Sequence, residues 1–457
     1  MNNSWKRIGT AALASLAAVG MLASCGGGSS ADDSNTLTIF NSKSEIQSQF
    51  EQMAEKYTEE TGVKTEVYFS SDTISAHLST RYASNNPYVL SMVDAKDIYS
   101  LGPDHAIDLS DEDWVGDTTQ AISVSGKVLG FPVSIEARGL MYNADAIEAI
   151  TGEEFNPADY QTLDAFKGLI QELKDGGMES PTGVMKEDWS LAGHFLSEVY
   201  EQQPDGATQF LTDMHDGNVD LASNDKFNEL MDTFDVLKDN NYAKDSAISA
   251  EREVTEQNFA EGKIAFLFGG NWDWAVINQY DYTDNIGIMP IPEDTDDDFN
   301  TKLIGGGSKY FFIDSSDNVT DEQRQWAKDF LNWLVTDPEG QDFIVNTCSM
   351  VSPFISNTLE PADPLGKSVK EYYDAGNVAT GFNGLPDDHY SVLGAEMQKY
   401  LAGQSDRDQL AAAIEDYWKN ADMANVEALA NDTSGSTASS DDAATTDDSA
   451  DGTAATE

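Results

Sequence analysis

The sequence predicts an α/β fold in which helices cover a parallel sheet, divided into two lobes. Three observations predict it. Asn35–Ser42 is a short β-branched and apolar run, and Glu45–Gly62 then places Ile46, Phe50, Met53, Ala54 and Tyr57 at helical spacing, with Gly62 as a stop. Val63–Ser70 is strand-like again, so strand, helix and strand follow in succession; that is a βαβ unit, which implies a parallel sheet with a covering helix. At 457 residues the chain also exceeds what one hydrophobic core usually serves, and a hydrophobic content of 40% supplies globular packing throughout.

The remaining elements follow in order. Ile74–Ala83 reads as a helix and Tyr88–Val93 as a third strand. Asp94 sits where that strand ends, and in open α/β sheets ligands gather at the carboxyl ends of strands. Phe131–Asn143 (FPVSIEARGLMYN) reads as a strand through Phe131, Val133, Ile135, Leu140 and Tyr142, yet Glu136 and Arg138 interrupt it. An unpaired buried charge is costly, so these two must be paired, solvated or waiting for a ligand. Thr162–Gly177 and Asn224–Tyr242 are amphipathic helices. Glu256–Ile277 passes from helix to strand to a Gly-Gly turn and then into Trp272 and Trp274. Ile286–Asp294 is a strand that ends in prolines, Leu303–Ser316 a strand entered through three glycines, and Asp321–Val345 two helices parted at Asp337-Pro338. The acidic loop Pro292–Asn300 mimics calcium-loop spacing but lacks the turn glycine and terminal Glu of an EF-hand, and reads as solvated.

The two ends are distinct. Lys6-Arg7 precedes an apolar run, Ile8–Leu22, too short and too Ala-rich for a membrane span. It ends in Leu22-Ala23-Ser24-Cys25, which resembles the lipobox of bacterial lipoproteins. Residues 1–24 are then a signal peptide and Cys25 the acylated (palmitate-bearing) first residue, with 25–35 a linker. Such lipid anchors a protein at the outer face of the cell membrane, extracellular or periplasmic, without spanning it; an ordinary cleavage site with an incidental Cys is the rival reading. Only Cys348 then remains, so no intrachain disulfide is possible, and its apolar surroundings suggest a small buried hydrophobe rather than a catalytic thiol. From Asn431 the chain carries no aromatic, Lys or Arg, the composition of a disordered acidic tail.

With 26 basic against 81 acidic residues, the formal charge of -55 argues against nucleic acid or anionic surfaces as partners. No Lys/Arg run offers a polyanion pocket, so a neutral or cationic ligand fits better. His77, His105, His194, His215 and His389 are scattered, without metal-ligand spacing or a nucleophile elbow, and no cofactor, metal or catalytic residue is predicted.

Several stretches line up in order: Leu37–Ser42 with Phe50–Val67, Gly130–Ile147, Gly262–Ile277, Ile286–Pro292 with Gly305–Ile313, and Ala327–Ile344. Together they resemble the extracellular solute-binding proteins of ABC sugar importers, the family of maltose-binding protein. The resemblance implies a two-lobed periplasmic-binding-protein fold whose chain crosses between lobes more than once and holds its ligand in the interlobe cleft. It places the first lobe at 36–134 and 286–335, and the second at 135–285 and 336–430. The charges in Phe131–Asn143 would then lie at the first crossing and face the cleft.

The same resemblance supplies site residues. Glu136 matches an acidic residue that hydrogen-bonds sugar hydroxyls, and Arg138 would hold Glu136 or donate to a sugar oxygen; an interlobe Glu136–Arg138 ion pair is the alternative. Trp272 matches the stacking Trp after the family's turn, with core packing as its rival, and Trp274 divides evenly between the two. Glu187 and Trp189 occupy the place of a Glu-plus-aromatic pair in the second lobe, and Tyr390 that of a C-terminal stacking aromatic. Asp94 corresponds to a first-lobe acidic ligand residue; Ser91-Met92-Val93 and Ala95 replace a Trp and an Arg of maltose-binding protein, which tells against maltodextrin. Asn41, Ser44 and Glu45 in the loop after the first strand complete the set.

The expected function is capture of a neutral sugar or oligosaccharide and its delivery to the permease subunits of an ABC transporter. A polyamine, peptide or other small solute is the runner-up ligand. A surface carbohydrate-active enzyme, needing two carboxylates at controlled separation, and a structural or adhesive lipoprotein are the competing classes.

Overall fold

The computed structural model describes residues 35–295 and 297–430. The signal peptide, Cys25, most of the linker and the acidic tail lie outside the described residues. Among the described residues no helix is long and apolar enough to cross a membrane.

Ten strands form the framework: β1 (Leu37–Asn41), β2 (Thr65–Phe69), β3 (Leu90–Asp94), β4 (Ile122–Val124), β5 (Lys127–Asn143), β6 (Thr182–Gly183), β7 (Phe266–Gly270), β8 (Ile286–Met289), β9 (Leu303–Ile313) and β10 (Val378–Thr380). The main path runs β2-β1-β3-β9-β5-β7-β6. β1 is parallel to β2 and β3, as the βαβ reading requires, whereas β9 and β5 join antiparallel, so the sheet is mixed rather than parallel. The connecting helix Gln47–Thr61 buries Phe50, Met53, Ala54 and Tyr57 and stops at Gly62, whose φ of 76° is the left-handed conformation that glycine adopts without steric cost.

The two lobes have separate cores. The first gathers Leu37, Phe50, Phe131, Phe311 and Phe330, and the second gathers Leu140, Phe166, Phe195, Phe227, Phe266 and Trp418. Each of these side chains is almost wholly withdrawn from water, worth roughly 1.5–3 kcal/mol apiece. β5 belongs to both: Phe131 and Val133 pack in the first core and Leu140 in the second. Its ladder with β9 shifts register at Ser134 and Ile135, a β-bulge between the two halves.

Of the stretch 336–430 that the sequence reading groups with the second lobe, Leu393, Met397, Leu410 and Trp418 pack in the second core, but Phe343, Ile344, Val345 and Met350 pack in the first. Phe343 meets Phe50 edge-on at 4.9 Å, which holds this segment beside the helix Gln47–Thr61. Helices Pro364–Asp374, His389–Leu401, Arg407–Asn420 and Ala424–Ala430 then complete the described residues. Cys348 is free and buried.

Candidate ligand cleft

A cavity of about 580 Å³ is lined by residues of both lobes, a size usual for small-molecule sites. Strand ends deliver most of its wall. Ser42–Glu45 follow β1, Asp94 closes β3, Glu136 and Arg138 follow the bulge in β5, and Gly305–Ser308 are the glycine-rich start of β9. Trp272 stands just beyond β7; a Cβ on Gly270 would lie 2.4 Å from the Trp272 ring, so the glycine is what lets the indole fold back over the strand. Trp189 and His194 come from a π-helical turn, Trp189–Leu196, and Tyr390 from the helix His389–Leu401.

Glu136, Arg138, Trp272, Trp189, Asp94, Tyr390, Ser44 and Glu45 therefore meet at one cavity. Three of the expected residues do not line it. Trp274 is 6% exposed and packs in a core with Ile277 and Phe259, with Tyr282 edge-on to its ring, while Trp272 stands on the short turn before it. Asn41 is fully buried and ties its own loop, accepting from the Lys43 backbone N–H and donating to Gln47. Glu187 precedes the π-helical turn with Oε2 buried and unpartnered among the described residues, and burial raises its pKa.

Glu136 and Arg138 do not pair with each other. Glu136 Oε1 accepts from Lys43 Nζ at 2.6 Å, and Lys43 also reaches Glu45 at 3.1 Å. Burial alone would lower the Lys43 pKa, but the two carboxylates outweigh it and hold the ammonium above its ordinary range. Burial likewise opposes ionisation of Glu45, yet Lys43 pulls it down to about 2. Arg138 turns into the second lobe, where it pairs with Glu201 and with Glu198 at 3.3 Å and donates to Ser197. Lys309 pairs with Asp94, Lys96 with Asp97 at 3.0 Å and Asp387 at 3.2 Å, and Arg252 with Glu256 and Asp273, both at 2.8 Å.

Five basic residues thus share the cavity wall: Lys43, Lys96, Arg138, Arg252 and Lys309. Apart from Arg138 they are absent from the sequence reading, because each comes from a different element and no basic run announces them. Every one is neutralised by carboxylates, so the wall offers no free cation to a polyanion. Among the described residues, no cluster of His, Cys, Asp and Glu is placed to hold a metal ion.

Glu198 has a further buried carboxylate close by, Glu293. Glu293 is 1% exposed, and burial raises its pKa from 4.5 to about 7 against the hydrogen bond that Gln202 donates. With the folded value above the unfolded one, the native state keeps a proton that the unfolded chain releases, so stability declines as pH climbs from about 4.5 to about 7 and then levels off. Glu293→Gln is expected to abolish that decline, gaining about 3 kcal/mol on the wild type between pH 4.5 and pH 8. Urea denaturation of both proteins at the two pH values checks it; parallel pH profiles would refute it.

The sequence family described as bacterial extracellular solute-binding protein matches residues 52–364. RafE in complex with raffinose superimposes with a TM-score of 0.68 at 17% identity, covering 84% of this chain and 98% of that one. A sugar transporter protein from Bacillus licheniformis, in complex with stachyose, gives 0.63 at 19% identity, covering 84% and 99%. A family 1 extracellular solute-binding protein from Bifidobacterium longum subsp. infantis gives 0.60 at 20% identity, covering 84% and 98%. These likenesses are of fold.

Proposed function

This chain belongs to the bacterial extracellular solute-binding proteins, and from that premise we propose that it captures a neutral sugar or oligosaccharide in its interlobe cleft and passes it to the permease subunits of an ABC importer. The observation that carries the reading is one wall. Trp189, Trp272 and Tyr390 share a cavity with Asp94 and Glu136, while every basic residue there is already paired. Flat aromatic faces stack on the C–H faces of a sugar ring, and carboxylates accept strong hydrogen bonds from its hydroxyls. The solved complexes of similar fold with raffinose and stachyose support the same ligand class. In this reading Trp272, Trp189, Tyr390, Glu136 and Asp94 contact the ligand, and Arg138 positions the wall from behind. The site performs capture without turnover. Acylation of Cys25 would tether the protein to the membrane beside its permease.

The test is to incubate residues 26–457 with a mixed oligosaccharide pool, wash, and identify the captured species by mass spectrometry. One intact glycan supports the reading. Cleaved glycan would make the protein an enzyme, and a retained polyamine or peptide would replace the ligand class. Glu136 gives a finer check, because Glu136→Gln keeps an acceptor for both Lys43 and a ligand hydroxyl. It is expected to weaken binding about threefold, against about tenfold or more for Glu136→Ala, by isothermal titration with the captured glycan. Equal losses would confine Glu136 to its pair with Lys43.

A further inference from the structure

The π-helical turn Trp189–Leu196 has a use that an α-helix could not serve. Its hydrogen bonds run between residues five apart, so Trp189 and His194, five apart, come to one side of the helix; at the α-helical period they would diverge. Both line the cavity. The His194 ring lies 4.7 Å from Trp272, inclined by 51°, and 5.4 Å from Trp189, edge to face. Tyr390 packs behind on Gly193, where an added Cβ would meet its ring at 2.6 Å, so the backbone beside His194 is pinned.

Beyond these ring contacts, the His194 imidazole makes no hydrogen bond among the described residues. Its Nδ1 is buried without a hydrogen-bond partner among the described residues, which leaves Nε2 as the nitrogen available to a molecule in the cavity. Burial, reinforced by Arg138, keeps the imidazole neutral, with its pKa well below the ordinary 6.5. A neutral imidazole has one N–H and one bare nitrogen; with Nδ1 buried and partnerless, the N–H is better placed on Nε2, where a molecule in the cavity can accept it.

We propose that His194 is a ligand-contacting specificity residue, set beside Trp272 by the π-helical turn so that its Nε2–H donates to a hydroxyl of the sugar ring stacked there. The inference rests on the sugar-binding reading above. A ligand hydroxyl accepts this bond, an ammonium group cannot, and the corner therefore separates polyols from amines of similar size. One neutral hydrogen bond lost is worth about 3- to 10-fold in affinity.

The experiment is isothermal titration of the full chain with raffinose and with stachyose, for the wild type, His194→Phe and His194→Gln, together with imidazole nitrogen NMR of the wild type. The expected result is weaker binding by 3- to 10-fold in His194→Phe and retention within about twofold in His194→Gln, which keeps an N–H donor. The NMR should show an Nε2-protonated neutral ring whose shift moves on adding sugar. Unchanged affinity in His194→Phe, or an imidazole signal indifferent to sugar, overturns the assignment while leaving the sugar reading intact. Failure of the wild type to bind these sugars or any glycan of the mixed pool overturns both, and is distinguished by that.

Discussion

Arg138→Met is expected to cost about 3–5 kcal/mol of stability at pH 7, measured by urea denaturation, because it strips the cation from a buried acidic cluster while keeping the aliphatic stem. Arg138 is 9% exposed and pairs with Glu198 and Glu201, themselves buried. Glu198 is already pushed well above the ordinary carboxylate range by burial, against the pull of Arg138. Glu201 also accepts from the Phe382 backbone N–H at 2.6 Å, so the same loss loosens a loop of the cavity wall. A loss below about 1 kcal/mol would show that the cation offsets no more than its own desolvation.

Trp272→Ala is expected to raise the Kd for the captured sugar about 30-fold or more, the effect of removing a central aromatic anchor. The melting temperature should fall by no more than about 3 °C, because the ring is only half-buried and lies over Gly270 rather than in a core. Trp274→Ala makes the contrast: two positions on, in the core, it should lose about 3–5 kcal/mol of stability and leave affinity intact in the protein that remains folded. Isothermal titration and differential scanning fluorimetry on both variants separate the roles. Unaltered affinity in Trp272→Ala would remove it from the site.

The sequence made much of this molecule legible because its elements carry strong local signals. The helices Gln47–Thr61, Leu163–Asp175 and Asp225–Asp239 fall where apolar spacing puts them, and two charges inside an apolar strand correctly mark β5 as reaching a cavity. What the two charges do was not legible. Glu136 and Arg138 share a face of β5, and a mutual pair was the alternative to ligand contact, but their protein partners are Lys43, 93 residues away, and Glu201, 63 away. Long-range pairing leaves no mark in the local pattern. His194 was hidden for a different reason: a π-helical turn has no sequence signature, and counted at α-helical spacing His194 does not share a side with Trp189. Lys43 had one available signal, its place in a polar loop at the carboxyl end of β1.

The connection between the lobes has a mechanical consequence. β5 and β9 pass the boundary as paired strands, bound to each other from Phe131↔Phe311 to Arg138↔Ile304 and interrupted only at the bulge. A flexible tether would let two bodies drift freely at almost no elastic cost. A hydrogen-bonded ribbon instead behaves as a leaf spring: it has a rest angle and yields first where its rungs are missing. Glu136 and Arg138 sit just past that compliant point, so any flexing of the spring must also re-aim the side chains that form the wall.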